Sequence, residues 1–109
     1  VLFRSRSSHK SRGHFTRELI IDYSQRTVII KNKKIDFSNK EFEIIKLLSM
    51  NAGQIFDREK IYEVVWGFEA NGDSAVIKEH IRKIRMKLAR YSENEYLETV
   101  WGVGYRWKK

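Results

Sequence analysis

The sequence predicts an α+β fold in which an N-terminal antiparallel sheet, three helices and a C-terminal β-hairpin follow one another. Three observations carry that expectation. Two β-branched runs, Glu18–Tyr23 and Arg26–Lys31, lie on either side of a short polar break, as in a hairpin. Asp73 to Arg90 contains no Gly or Pro after Asp73, and Ile77, Ile81, Ile84 and Leu88 recur at the i, i+4, i+7, i+11 spacing of one helical face. Near the C-terminus, two short runs rich in aromatic residues flank Gly102-Val103-Gly104, a hairpin with a glycine turn.

Taken in order, Val1 to His14 is rich in Ser and basic residues without apolar periodicity, and reads as a basic linker or tail (1–14) ahead of one domain (15–109). Ser24-Gln25 joins the first two strands, Asn32-Lys33 makes a second turn, and Lys34-Ile35-Asp36-Phe37 is a third short strand. Ser38-Asn39-Lys40-Glu41 is a capping box, Ser at the N-cap and Glu three residues on. It opens a helix with Phe42, Ile45, Leu47 and Leu48 inward, closed by Asn51-Ala52-Gly53 with Gly as the cap. Asp57 caps a second helix, Arg58 to Trp66, with Ile61, Val64 and Val65 as its apolar side, and Gly67 stops it. A loop then leads to the third helix, 74–90, which Asp73 or Ser74 can cap. At about 100° per residue its four apolar positions fall within roughly 60°, and Ala75, Glu79, Arg82 and Met86 lie opposite. The closing hairpin spans 96–108. A basic third helix preceded by a helix and followed by a glycine-turned hairpin is the winged helix-turn-helix arrangement.

Charge gives that arrangement a purpose. The chain of 109 residues has a formal net charge of +8. Four of those charges belong to Arg4, Arg6, Lys10 and Arg12 in a stretch without acids. The third helix sets Lys78, Arg82, Lys83, Arg85, Lys87 and Arg90 against Glu79 alone, so the rest of the domain is close to neutral. Such concentration points to a polyanion, and to a helix laid into the DNA major groove. A solvated basic face is the alternative. It accounts poorly for Lys78 and Arg82, which lie too far upstream to serve the helix C-terminal dipole. The absence of cysteine excludes a disulfide framework and thiolate metal sites and fits a reducing cytosol, so a cytoplasmic protein is expected. No apolar run approaches the roughly 18 residues of a membrane span, and no signal peptide is visible.

Four segments resemble a known family. Phe37-Ser38-Asn39-Lys40-Glu41-Phe42-Glu43-Ile44-Ile45-Lys46-Leu47-Leu48 resembles the "L-T-P-x-E-F-x-L-L-x-x-L" opening of OmpR/PhoB-type response-regulator effector domains. Asp57-Arg58-Glu59 with Val65-Trp66-Gly67 resembles their "S-R-E-x-L…V-W-G" helix. His80 to Leu88 resembles "H-I-R-R-L-R-x-K-L", and Thr99 to Tyr105 resembles the wing "T-V-R-G-x-G-Y". Together they cover about residues 15–108 in the right order.

The resemblance implies sequence-specific binding to double-stranded DNA by the output domain of a two-component transcription regulator, with the third helix in the major groove and the hairpin as wing. It implies a sensor histidine kinase acting through a receiver domain that this sequence does not include, residues 1–14 being the linker to it. It further implies homodimers on direct-repeat promoter sites, and contact with RNA polymerase through loop 68–73. Residue by residue, Trp66 would donate its indole N–H to a phosphate or serve as a structural Trp at a helix end. His80 would contact phosphate or be a satisfied buried His. Arg82, Lys83 and Arg85 would meet base edges and phosphates, an Arg being able to grip guanine O6 and N7 together. Thr99 and Tyr105 would hold the backbone beside the wing, with hairpin packing the rival role for Tyr105. Departures from the family pattern imply an altered sequence preference. Ala75 stands where the family has a phosphate-binding Arg, and Lys78 where an acid is common. Glu79 replaces an apolar residue and could accept from cytosine N4 or pair with Arg82 or Lys83. Trp101 replaces the wing Arg, leaving Arg106 or Lys108 to supply that cation.

Catalysis is not expected. His9, His14 and His80 are scattered without metal-ligand spacing, Glu41/Glu43 and Glu93/Glu95 do not share a face, and there is no glycine-rich phosphate loop. No cofactor is implied. A winged helix that binds RNA or protein is the remaining alternative, kept open by Trp101, since RNA is read by exposed stacking aromatics.

Overall fold

The computed structural model describes residues 13–15, 18–67 and 72–109. They form two compact units, one ending at Asp36 and one running from Phe37 to Lys109. The first is an antiparallel sheet in the order β1 (Gly13–Phe15), β2 (Leu19–Asp22), β3 (Thr27–Ile30), β4 (Lys33–Ile35). Alternation sets its faces: Leu19, Ile21, Val28, Ile30 and Ile35 are buried, and the register places Leu19 opposite Ile30 and Val28 opposite both Ile21 and Ile35. Pairing begins inside the stretch read as tail, because Gly13 and His14 lie opposite Asp22 and Ile21. An edge strand held by main-chain bonds needs no apolar period, so the residues carry no signal of it.

Turn chemistry moves two sequence-predicted boundaries. Asp22 Oδ1 accepts from Ser24 N (3.0 Å) and Gln25 N (3.1 Å), so the first turn takes residues 23–26 instead of Ser24-Gln25 alone. The second is Lys31-Asn32, both with positive φ (51° and 69°), the two-residue hairpin turn that matches strand twist. β4, the strand expected over Lys34–Phe37, therefore starts at Lys33, one residue before the expected position.

In the second unit, α1 (Asn39–Met50) opens on the capping box: Ser38 Oγ accepts from Glu41 N at 3.2 Å and Glu41 Oε1 from Ser38 N at 2.9 Å. The helix packs against α2 (Arg58–Trp66), α3 (Val76–Ala89) and β6 (Gly104–Trp107). Contact on several sides widens its buried stripe to Phe42, Ile44, Ile45 and Leu48, with Ile44 in the place expected for Leu47. Asn51, not Gly53, is the cap, its Nδ2 donating to Leu47 O at 2.8 Å. Gly53 (φ +92°) then sends its N–H to Trp107 O at 2.8 Å.

Helix α2 has its expected bounds. Asp57 Oδ1 accepts from Lys60 N at 2.7 Å, and Gly67 ends the helix at φ 56°. Its buried side is Ile61 and Tyr62, whereas Val64, expected inward, is exposed. Tyr62 Oη accepts from Gly72 N (2.9 Å), which anchors the chain just ahead of α3. Asp73 Oδ1 accepts from Ala75 N (2.9 Å) in the preceding turn, so α3 starts at Val76, two residues later than expected, with Ala75 at its N-cap making no side-chain bond.

The hairpin is β5 (Leu97–Val100) and β6 (Gly104–Trp107), with its turn at Trp101-Gly102-Val103. Gly102 takes the positive φ (78°) that such a turn requires. Gly104 was expected in the turn but lies in the strand, for a different reason. Phe56 N donates to Tyr105 O and Tyr105 N to Phe56 O, each at 2.8 Å, so Phe56 forms an isolated antiparallel bridge to β6. A Cβ on Gly104 would lie 2.2 Å from Phe56 O. Trp107, fully buried, stacks on Tyr96 at 5.9 Å and closes the unit.

Candidate nucleic-acid interface

Helix α3 divides into two faces because its apolar residues keep to one stripe. Ile77, Ile81, Ile84 and Leu88 are at most 4 % exposed. Burying each contributes on the order of 2 kcal/mol, which holds the helix axis and the opposite face in place. On that opposite face Lys78, Glu79, Arg82 and Lys83 are exposed.

The cations of this helix are not equivalent. Arg82 is forked to Glu79, with Nε to Oε1 at 3.0 Å and Nη2 to Oε2 at 2.6 Å, while Nη1 meets Met86 Sδ at 2.9 Å. These bonds from Arg82 hold the Glu79 carboxyl below its ordinary value. Arg85 turns the other way: Nε donates to Leu97 O (3.2 Å) and Nη2 to Thr99 Oγ1 (2.5 Å), and the guanidinium lies 5.9 Å from the Tyr105 ring. It ties α3 to the hairpin. Lys87 bonds buried Glu41 at 2.7 Å and lies 5.3 Å from the Phe37 ring. Burial pushes the Glu41 carboxyl up, but the bonds from Lys87 and Ser38 outweigh it and leave the group below its ordinary 4.5.

Beside the helix, the hairpin tip carries Trp101 at 90 % exposure and Val103 at 55 %. A groove of about 810 Å³ runs between α3 and the hairpin, lined from α3 by Ala75, Lys78, Glu79, Arg82, Arg85 and Met86 and from the hairpin by Thr99, Trp101 and Tyr105. Most of the sequence-predicted site residues thus meet in one place. Arg106 does not join them: its Nε donates to Glu98 Oε1 at 2.5 Å across the strands. Trp66 and His80 form a separate cluster, the rings edge to face at 5.3 Å. Tyr62 stacks on Trp66 at 5.0 Å, and Lys40 Nζ lies 5.1 Å from its ring. His80 Nδ1 donates to Val76 O at 2.9 Å, so its Nε2 can bond an anion only in the doubly protonated ring.

Sequence reasoning placed Met86 on the face of Glu79 and Arg82 without counting it among the site residues, and it missed Lys40. Met86 had a signal, since it lies one turn beyond Arg82 on the same face. Lys40 had none, because only folding brings it to Trp66. Among the described residues, no group of His, Asp and Glu could hold a metal ion, and no helix is long and apolar enough to cross a membrane.

A basic helix seated on an apolar seam, with an exposed hairpin beside it, recurs in known proteins. The family described as "Transcriptional regulatory protein, C terminal" matches residues 32–107. The chain belongs to this family. It is an OmpR/PhoB-type winged-helix domain, the DNA-binding output module of a transcriptional regulator and not an enzyme. It is 34% identical over 103 residues to the transcriptional regulatory protein SpaR of Bacillus subtilis, covering 94% of this chain and 46% of SpaR. With the heme response regulator HssR of Staphylococcus epidermidis it shares 35% over 88 residues, 81% of this chain and 39% of HssR. The chain thus spans less than half the length of these relatives. Among solved structures it resembles the OmpR/PhoB homolog DrrB of Thermotoga maritima, with TM-score 0.79, 31% identity, 96% of this chain and 49% of DrrB. It also resembles the Klebsiella pneumoniae RstA DNA-binding domain in complex with the RstA box, with TM-score 0.76, 26% identity, 89% of this chain and 97% of that one.

Proposed function

We propose that this domain engages DNA by laying α3 in the major groove and resting the hairpin on the adjacent minor groove. The observation that carries this is the exposure of Lys78, Arg82 and Lys83 together, opposite a seam of isoleucines that leaves the helix no freedom to roll. In this reading Arg82 faces base edges while Lys78 and Lys83 track phosphates. Trp66, Thr99 and Tyr105 hold the backbone on either side, joined by His80 when its ring is doubly protonated, with Lys40 beside Trp66 as an added cation. Arg85 sets the hairpin against the helix, so its effect on DNA is through the wing. Trp101 replaces a cation at the wing tip with an aromatic face that can press on sugars or a base step. Arg106, paired to Glu98, contributes only if that pair opens. Ala75 leaves room at the helix start, where Lys78 supplies the charge.

The larger assembly follows the same reading. Two copies would bind a direct repeat as a homodimer on DNA, loop 68–73 would meet RNA polymerase (68–71 lie outside the described residues), and the part of the expected linker ahead of β1, residues 1–12 (also outside the described residues), would lead to a receiver phosphorylated by a sensor histidine kinase in the cytoplasm. The test is a mobility-shift assay with duplex DNA and structured RNA of equal length across a salt series. With about 5–8 phosphates contacted per copy, log affinity should fall against log salt with a slope of roughly −5 to −7, in favour of DNA. A slope near zero, or equal affinity for the RNA, overturns the reading.

A further inference from the structure

The most cationic element of the chain carries one acid on its DNA-facing side, and that acid is not idle. Glu79 lies where a polyanion would repel it, and an exposed ion pair adds little to stability. Its two oxygens take Nε and Nη2 of Arg82, the side fork of the guanidinium. Met86 Sδ meets Nη1 from the next turn. The guanidinium is therefore held from both directions along the helix. Nη2 still has one hydrogen beyond the one given to Glu79. Nη1 faces only a thioether, a weak acceptor that an oxygen or ring nitrogen displaces. What remains is the end fork, two near-parallel donors in a fixed plane, the geometry that matches O6 and N7 of guanine.

We propose that Glu79 is a specificity-determining positioning residue, which holds Arg82 by its side fork so that the end fork reads a guanine and is withheld from phosphate. This rests on the reading of Arg82 as a base reader. Two physical effects act together. Pairing neutralises the local charge, which weakens the pull of nearby phosphates relative to Lys78 and Lys83. Holding the side chain in one rotamer removes ordering entropy that a free Arg loses on contact. The effector is an acid that makes no base contact of its own.

The test uses the 109-residue chain and duplexes it selects from a random pool. Arg82→Ala identifies the base pair that Arg82 reads. Glu79→Gln should lower discrimination at that same base pair by about tenfold, raise affinity for unrelated duplex, and steepen the salt slope by about 1 as the freed guanidinium takes a phosphate. Glu79→Asp keeps the charge but shortens the reach, so it should lose discrimination with the salt slope unchanged. Unaltered melting of both variants separates the effect from a folding defect. If Arg82→Ala leaves every base preference intact, the base-reading role falls and the proposal with it. If Arg82→Ala erases a preference that both Glu79 variants keep, the positioning role alone is overturned. The same follows if Glu79→Gln relaxes a different base pair, since Glu79 would then read a base itself.

Discussion

The two ends of α3's charge make an instructive pair. Lys78, Arg82 and Lys83 face solvent, whereas Arg85 and Lys87, of the same residue types on the same helix, are spent on the hairpin and on Glu41. Position on the helical wheel decides this only together with what packs beside each turn, since Lys78 and Arg85 share one flank seven residues apart. Arg85 and Lys87 flank the buried stripe on opposite sides, within reach of β5 and α1, while Arg82 lies directly opposite it. A basic helix is thus partly a binding surface and partly a set of struts, and counting cations does not separate the two.

The contrast is most sharply tested at Lys87. Lys87→Met strips buried Glu41 of its cation and should cost on the order of 3 kcal/mol of stability, a fall in Tm of roughly 10–20 °C. Acid supplies the control. Glu41's folded value lies below its ordinary 4.5, so its contribution is present above that value and is lost as pH falls through the folded one. The stability gap between the wild type and Lys87→Met should therefore narrow as pH falls below 4.5; a constant gap would remove Glu41 from the account. Next is Arg82→Ala, expected to cost on the order of 1–3 kcal/mol of DNA affinity at one base pair with melting unchanged. Equal loss for every sequence would place Arg82 with the phosphate contacts. Arg85→Ala should behave in the reverse sense, losing about 1–2 kcal/mol of stability as two charged hydrogen bonds go and weakening all duplexes alike. Urea unfolding and titration of two unrelated duplexes measure both. The smallest effect is expected of Lys78→Ala, a uniform loss of well under tenfold at moderate salt with a slope shallower by about 1.

Much of this molecule was legible in advance wherever a rule acts over a few residues. Ser38 with Glu41, Asp57 before α2 and Gly67 after it are local hydrogen-bond and φ requirements, and the structure has them where the residues place them. The isoleucine seam was equally plain, since a helix period needs no partner to be recognised. Boundaries drifted where a turn had its own chemistry, as at Asp22 and at Lys31-Asn32. Val64 and Leu47 were misplaced because which flank of a stripe is covered depends on what packs there.

The sequence by itself determined the order of elements, the caps, and a helix with one apolar stripe and an excess of positive charge, because each follows from backbone geometry and side-chain spacing. Only the tertiary structure decided which cations are free, why Gly104 must lack a Cβ beside Phe56 O, that Lys40 meets Trp66, and that Trp101 stands almost fully exposed. Those facts depend on segments far apart in the chain coming within a few ångströms of one another, and no local pattern encodes such a distance.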